Sequence, residues 1–172
     1  RFPPGWDTIG LGWHGPLLPY IELDTLYDTL IFQESGPGNW TSGSANTEAC
    51  ETLLPVFRCP SMPCEEHVDN MGIEERVPAS YRGNAGTLSS SDDQSYITLP
   101  GTSSLEDLRQ NGLFHACSGV KMAGVADGLS CTVLFGETRT EPGLELDDNS
   151  LDVWYIGSPQ IDPCRCDGGN GG

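Results

Sequence analysis

The sequence is short of positive charge. It holds 8 lysines and arginines against 25 aspartates and glutamates, which gives a formal net charge of −17 over 172 residues. Nucleic-acid binding needs lysine and arginine against the phosphates, so this composition argues against a nucleic-acid partner. The same shortage argues against docking on an anionic membrane. We therefore expect a well-hydrated acidic surface that attracts cations.

Long apolar runs are also missing. No stretch is long enough for a transmembrane helix, and no signal-peptide pattern is present. The first residues, RFPPGW, and the last, CDGGNGG, indicate a processed or incomplete chain. No internal repeat is visible. We expect one globular domain over residues 1–172, with an extended arm at 1–19 and a Cys- and Gly-rich tail at 158–172.

The sequence also lacks recognisable catalytic motifs. None of the three histidines, His14, His67 and His115, stands in a motif with a nucleophile. On a strand, His115 and Cys117 would share one face, but a disulfide-bonded Cys117 is the preferred interpretation. Ser118 is not part of a Gly-x-Ser-x-Gly turn. We therefore predict that the protein is not an enzyme.

Cysteine, in contrast, is plentiful, with seven residues. We favour disulfides formed in an oxidising compartment, with scattered buried thiols and zinc as the alternatives. The segments CPSMPC and CRC lack the usual Cys-x-x-Cys zinc spacing. An odd count leaves one cysteine without a partner in the chain. The pairings that we favour are Cys117 with Cys131, at the facing ends of predicted strands, and Cys50 with Cys164 or Cys166. Cys59 and Cys64 are left as candidates for a local disulfide loop.

The 22 glycines and 13 prolines indicate short elements and many loops. Apolar spacing predicts helices over 20–32 and 46–54, the second capped by Asn46 or Thr47, and one helical turn within 121–126. Strands are predicted over 56–59, 79–86, 113–116, 131–137 and 151–157. The loops are expected at 33–46, 60–78 and 87–104. The fold class is thus α+β, with short N-terminal helices followed by a mostly antiparallel sheet.

Six segments of the sequence occur in a characteristic order: RFPPG, GWHGPLLPYIE, LPVFRCPSMP, YRGNAGT, NGLFHACSGVKMAGVADGLSCTVLFGET and VWYIG. Together, over nearly all of residues 1–157, they resemble the bacterial family called domain of unknown function 1559, common in planctomycetes. The resemblance implies a pilin-like or pseudopilin-like surface protein with a globular head. It also implies a preceding apolar helix, missing here, that anchors in the membrane or filament core. The chain departs from the family with DGLSCT at 127–132, where DGTSNT is common.

The resemblance implies an extracellular or cell-surface location and a structural role. We expect a non-catalytic subunit that assembles with copies of itself into a pilus-like filament. Trp13 and Tyr20 would then pack the core of the head. The N-terminal arm is the expected assembly contact, lying in a groove of a neighbour or adding a strand to its sheet. Its apolar residues are Phe2, Trp6, Ile9, Leu11 and Trp13.

The alternative function is an extracellular module that binds a solute or carbohydrate. Four tryptophans would form its stacking platform: Trp6, Trp13, Trp40 and Trp154.

Two further sites are candidates. The acidic stretch ELDDNSLD supplies oxygen ligands suited to calcium, and some pseudopilins bind calcium in a loop; a solvated acidic turn is the alternative. Its ligand residues would be Glu145, Asp147, Asp148, Asn149 and Asp152. In addition, Asn39 begins NWT, a triplet of the N-glycosylation type.

Overall fold

The computed structural model describes residues 1–5, 11–32, 44–70, 72–86, 111–115, 118–138 and 152–154. These ranges contain two α-helices and four β-strands, joined by short 3₁₀ helices. The elements are α1 (Asp24–Thr29), α2 (Ala45–Cys50), β1 (Val68–Asn70), β2 (Ile73–Arg76), β3 (Tyr81–Gly83) and β4 (Phe135–Glu137). The α+β class is therefore confirmed.

The strands form two small antiparallel sheets. In the first, β1 and β2 make a hairpin whose register shifts between Val68 and Asn70. In the second, β3 pairs with β4, which is far away in the sequence, and Arg82 lies opposite Gly136. A bridge between Pro78 and Val153 adds a third stretch of chain beside β3. The expected antiparallel pairing is present, but the described strands are divided between two sheets.

The first predicted helix is split into two. A 3₁₀ helix spans Gly15–Ile21 and α1 follows, with Glu22 in the left-handed region at φ 65° between them. Pro19 lies inside the first piece and lacks the N–H that a longer α-helix would use. Two expectations are corrected as a result. The extended arm cannot reach residue 19, and Tyr20 is 85% exposed rather than part of the core.

The second helix begins earlier than predicted. Ser44, not Asn46 or Thr47, is its N-cap, and the Ser44 hydroxyl accepts a hydrogen bond from the Thr47 backbone at 3.3 Å. The Asn46 side chain is buried instead. It accepts from the Ile31 N–H at 2.8 Å and donates to the Ile31 carbonyl at 3.3 Å, which ties α2 to the end of α1.

Several strand assignments also need correction. Residues 56–59 belong mostly to a 3₁₀ helix, Pro55–Phe57, and the supposed loop 60–78 contains the β1–β2 hairpin. No strand covers 113–115, and only 135–137 of the strand predicted over 131–137 is formed. The predictions of a strand within 79–86 and of a helical turn within 121–126 are confirmed, the latter as Met122–Gly124. The predicted loops at 33–43 and 87–104 and the strand beyond 154 fall outside the described residues.

Two apolar clusters make up the core. The larger lies beneath the helices and the first sheet, and its central members are Leu11, Leu18, Leu30, Ile73, Val77 and Trp154. The smaller consists of Trp13, Leu113 and Phe114, with Phe2 and Tyr81 packed at its margin. Trp13 links the two clusters, because its ring meets Phe57 of the larger cluster edge to face at 6.2 Å.

The N-terminal arm is docked on the body of its own chain. Backbone hydrogen bonds of 2.9 Å join Phe2 to Val120, Gly5 to His115, and Trp13 back to Gly5. Leu11 and Trp13 are buried. The assignment of these two residues to an assembly arm is therefore corrected, since both are core residues. Trp6 and Ile9 lie outside the described residues.

Two stretches of chain meet closely around Gly86 and Gly112. Gly112 donates to the Ala85 carbonyl at 2.9 Å, and Leu113 donates to the Asn84 carbonyl at 3.0 Å. A Cβ at Gly112 would collide with the Ala85 backbone, and Gly86 has φ +114°. Only glycine satisfies both conditions without strain. The contact joins residues 84–86 to residues 111–113.

Candidate functional site

Four aromatic rings form what we call the aromatic column: Trp13, His14, Phe57 and Trp154. His14 stacks on Trp13 with ring centroids 3.8 Å apart and meets Phe57 edge to face at 4.7 Å. Phe57 stacks on Trp154 at 6.3 Å. All four side chains are buried. Trp13 and Trp154 therefore cannot form a platform for sugar stacking, which corrects that expectation; Trp6 and Trp40 lie outside the described residues.

His14 is a neutral imidazole inside this column. Neither ring nitrogen forms a hydrogen bond with the part of the chain that the structure describes. Burial lowers the pKa of His14 to about 3 from 6.5, and a weak interaction with the backbone of Tyr81 offsets only part of that effect. A buried imidazole without a carboxylate neighbour has no means of holding a proton at neutral pH. His14 thus acts as an aromatic core residue and not as an acid or base.

The other two histidines lie apart from it. His115 is half-buried, and burial lowers its pKa while a hydrogen bond to the Gly112 carbonyl opposes the shift. Its sequence neighbour Cys117 falls outside the described residues. His67 is half-buried just before β1 and contacts the Glu75 carbonyl at 2.9 Å. No described histidine faces a described nucleophile at hydrogen-bonding distance.

The predicted calcium cluster is represented by a single described residue, Asp152. Its carboxylate pairs with the Arg82 guanidinium and accepts a 2.6 Å hydrogen bond from the Thr138 hydroxyl. Both of its oxygens are thus already engaged, so Asp152 ties β3 to the residue after β4. Glu145, Asp147, Asp148 and Asn149 lie outside the described residues, as does the glycosylation candidate Asn39. Within the described residues, no three His, Cys, Asp or Glu side chains converge as a metal site.

The described cysteines are free thiols. Cys50 is deeply buried, and burial raises the pKa of its thiol to about 12 although the nearby Arg76 acts in the opposite direction. Cys59 and Cys64 are not bonded to each other in this structure, and Cys131 is exposed. Their remaining predicted partners, Cys117, Cys164 and Cys166, lie outside the described residues, so those pairings stay predictions.

The most unusual surface feature is a set of exposed apolar side chains in residues 118–138. Met122 is 60% exposed, Leu129 45%, Val133 64% and Phe135 48%. We call these four residues the apolar strip. The intervening half-buried side chains Val120, Val125 and Leu134 pack against the smaller core cluster. The segment therefore has an inner apolar face that holds it to the body and a second apolar face in water.

The strip ends in an open sheet edge. Among the described strands, β4 pairs only with β3, and all three of its residues are exposed. Among the described residues, no atom lies within 4 Å of a Cβ built on Gly136. Phe135 stacks on Trp13 at 5.5 Å, which connects the strip to the aromatic column. An exposed edge flanked by apolar side chains is a surface on which another chain can pair.

Sequence reasoning missed this surface. It assigned residues 131–137 to a buried strand because CTVLFGE is rich in β-branched and apolar residues. One signal pointed the other way: from 118 to 136 the only charged residues are Lys121 and Asp127, in a chain of net charge −17. It also missed Arg76, which is buried and donates to the Asn70 side chain at 3.4 Å.

Comparisons with known proteins give one match. The model of a family described as "Protein of unknown function (DUF1559)", with the short name SBP_bac_10, covers residues 1–162. Searches of curated proteins and of solved structures return no match to the chain. Among the helices of the described residues, none has both the length and the apolar character needed to cross a membrane.

Proposed function

Because this chain belongs to the DUF1559 family, whose function is unknown, we propose its role from its own surface. The role is that of a non-catalytic structural subunit, placed outside the cell, that assembles with copies of itself into a pilus-like filament. The observation that carries the proposal is the apolar strip, four large side chains in water within residues 122–135. Exposed apolar patches of this kind are typical of protein–protein contacts.

Charge favours a second copy of the chain as the partner. At −17, two copies repel each other over most of their surfaces. The strip is the exception, because Lys121 and Asp127 cancel over residues 118–136. Contact there buries apolar area and brings few carboxylates together.

The edge of β4 supports the same partner. A second chain that pairs with the side of β4 that no described strand occupies would extend the β3–β4 sheet and cover Phe135 and Val133 together. Backbone pairing fixes the orientation of the two chains, and burial of the flanking apolar side chains supplies the free energy of association. The strip thus replaces the N-terminal arm as the proposed assembly contact, since Leu11 and Trp13 are buried in their own chain.

The test compares two variants that add the same negative charge at exposed apolar residues. Met122→Asp/Val133→Asp places carboxylates in the strip, and Tyr20→Asp/Val56→Asp does the same at exposed apolar residues elsewhere. We expect wild type and the control to associate with rising concentration in analytical ultracentrifugation and to form fibres in negative-stain images. The strip variant should associate at least about tenfold more weakly.

Two results would contradict the proposal. Wild-type protein that stays monomeric at high concentration would remove self-assembly through this head. Equal association of both variants would leave assembly intact but place its contact outside the strip. Circular dichroism of each variant confirms that the fold is retained.

A further inference from the structure

The loop between the 3₁₀ helix Pro55–Phe57 and β1 is rich in sulphur. Residues 59–64, CPSMPC, carry two thiols and one thioether, on Cys59, Met62 and Cys64. We call this segment the sulphur loop. Cys64 is buried, whereas Cys59 and Met62 are half-buried, so water and small ions reach one side of the loop. The proposed assembly role uses none of these three sulphur atoms.

Hydrogen bonds fix the backbone and the thioether in the first half of the sulphur loop. The Met62 N–H donates to the Cys59 carbonyl at 3.0 Å, which closes a turn. The buried Ser80 hydroxyl accepts from the Cys59 N–H at 2.9 Å and contacts the Met62 sulphur at 3.3 Å. Ser80 therefore pins the thioether beside the residue that carries the first thiol.

Arg58 fixes the other end of the loop. Its guanidinium donates to the carbonyls of Cys64 and Glu65 at 2.5 and 3.0 Å, and to that of Pro78 at 3.5 Å. Both terminal nitrogens lie 4.0 Å from the Cys64 sulphur. Pro78 is two residues before Ser80, so both ends of the loop are fastened to the same stretch of chain. The positive charge of Arg58 also offsets negative charge that would develop on sulphur ligands.

We propose that the sulphur loop is a binding site for monovalent copper, with Cys59, Met62 and Cys64 as its three ligands. Thiolates and thioethers are soft donors that select Cu(I) over hard cations such as calcium and magnesium. On binding, two copper–thiolate bonds form, two thiol protons pass to solvent, and the thioether adds a neutral donor. No electron is transferred. The bis-thiolate complex carries one negative charge beside Arg58.

The experiment is a competition for Cu(I) under anaerobic, reducing conditions, with the whole chain and a chromophoric Cu(I) chelator. We expect the protein to withdraw copper from the chelator and X-ray absorption to show sulphur as the only first-sphere donor. Met62→Leu keeps the volume and removes the ligand, so affinity should fall at least about tenfold. Cys59→Ser or Cys64→Ser should lower it further. Met122→Leu and Cys131→Ser, which alter sulphurs outside the loop, should leave it unchanged.

The chain has another pair of closely spaced cysteines, Cys164 and Cys166. Copper binding by that pair must be distinguished from binding by the sulphur loop. Cys164→Ser/Cys166→Ser should retain binding of one equivalent; loss of all binding in that variant would overturn the proposal. An unchanged affinity in Met62→Leu would also overturn it, because the three-sulphur set would then be wrong. Oxidation that joins Cys59 to Cys64 should abolish binding, and mass spectrometry of the unreduced protein identifies that form. Persistent binding in the oxidised form would contradict the assignment of the two thiols as ligands.

Discussion

The aromatic column and the apolar strip are built from similar residue types but have opposite exposures. In the column, Phe57 is 5% exposed and sits between His14 and Trp154, whereas Phe135 of the strip is 48% exposed. The two meet where Phe135 stacks on Trp13. The column holds the two core clusters together, and the strip leaves the same kind of surface uncovered. Apolar character alone therefore does not distinguish a residue that stabilises this fold from one that offers a contact.

The same substitution in both regions gives the largest expected contrast. Phe57→Ala should lower the free energy of unfolding by about 3–5 kcal/mol, because it leaves a cavity between two buried rings. Phe135→Ala, the matched control, should cost about 1 kcal/mol, since water already reaches half of that ring. Chemical denaturation of both variants measures the difference. Equal losses would mean that Phe135 is as much a part of the core as Phe57.

Acid provides a second, smaller test of the column. Unfolded His14 titrates at its ordinary pKa of 6.5, whereas the folded pKa is about 3. Between these values the unfolded chain binds more protons, so the stability that neutral His14 contributes is complete above pH 6.5 and is lost as pH falls towards 3. From pH 6.5 to 5 the free energy of unfolding should fall by about 2 kcal/mol from this group.

The control for this prediction is another histidine. His14→Phe should remove most of the dependence between pH 6.5 and 5, and His67→Gln, which lies outside the aromatic column, should leave it in place. Denaturation midpoints at several pH values measure this pH dependence of stability. A steep pH dependence that survives in His14→Phe would assign the effect to other groups.

The smallest effect on stability is expected in the strip. Val133→Ser should change the free energy of unfolding by less than about 0.5 kcal/mol, because Val133 is 64% exposed. Val77→Ser, at a buried position, should cost at least about 2 kcal/mol through a lost apolar contact and a buried hydroxyl. Thermal unfolding of dilute protein, below any self-association, compares the two. A large loss in Val133→Ser would show that the strip is covered in the isolated chain.

Parts of the fold follow from local chemistry and were predicted on that basis. The strand at β3 and the turn at Met122–Gly124 were located from residue type and glycine placement. The β1–β2 hairpin was not, because Glu74, Glu75 and Arg76 in so short a strand look like a solvated loop. The burial of Arg76 depends on its tertiary contact with Asn70, and no local pattern reports that.

The site was harder to predict than the fold. Tyr20 and Val133 are both apolar enough for a core, and only the tertiary arrangement shows that they are exposed. His14 is the opposite case, a titratable residue that is buried. Its sequence neighbours, Trp13 and Pro16 among them, do not indicate that aromatic rings enclose it. Residue spacing did draw attention to Cys59 and Cys64. The roles of Arg58 and Ser80 around them come from contacts over six to twenty-one positions, which spacing within the loop does not reveal.

The close contact of Gly86 with Gly112 has a consequence for how this domain can diverge. The ends of the segment 87–110 are already joined by backbone hydrogen bonds at Ala85 and Asn84. The entropy of closing a loop between fixed ends grows slowly, by about 0.6 kcal/mol for each doubling of its length. Foreign peptides of widely different length can therefore be grafted between residues 86 and 111 at modest thermodynamic cost.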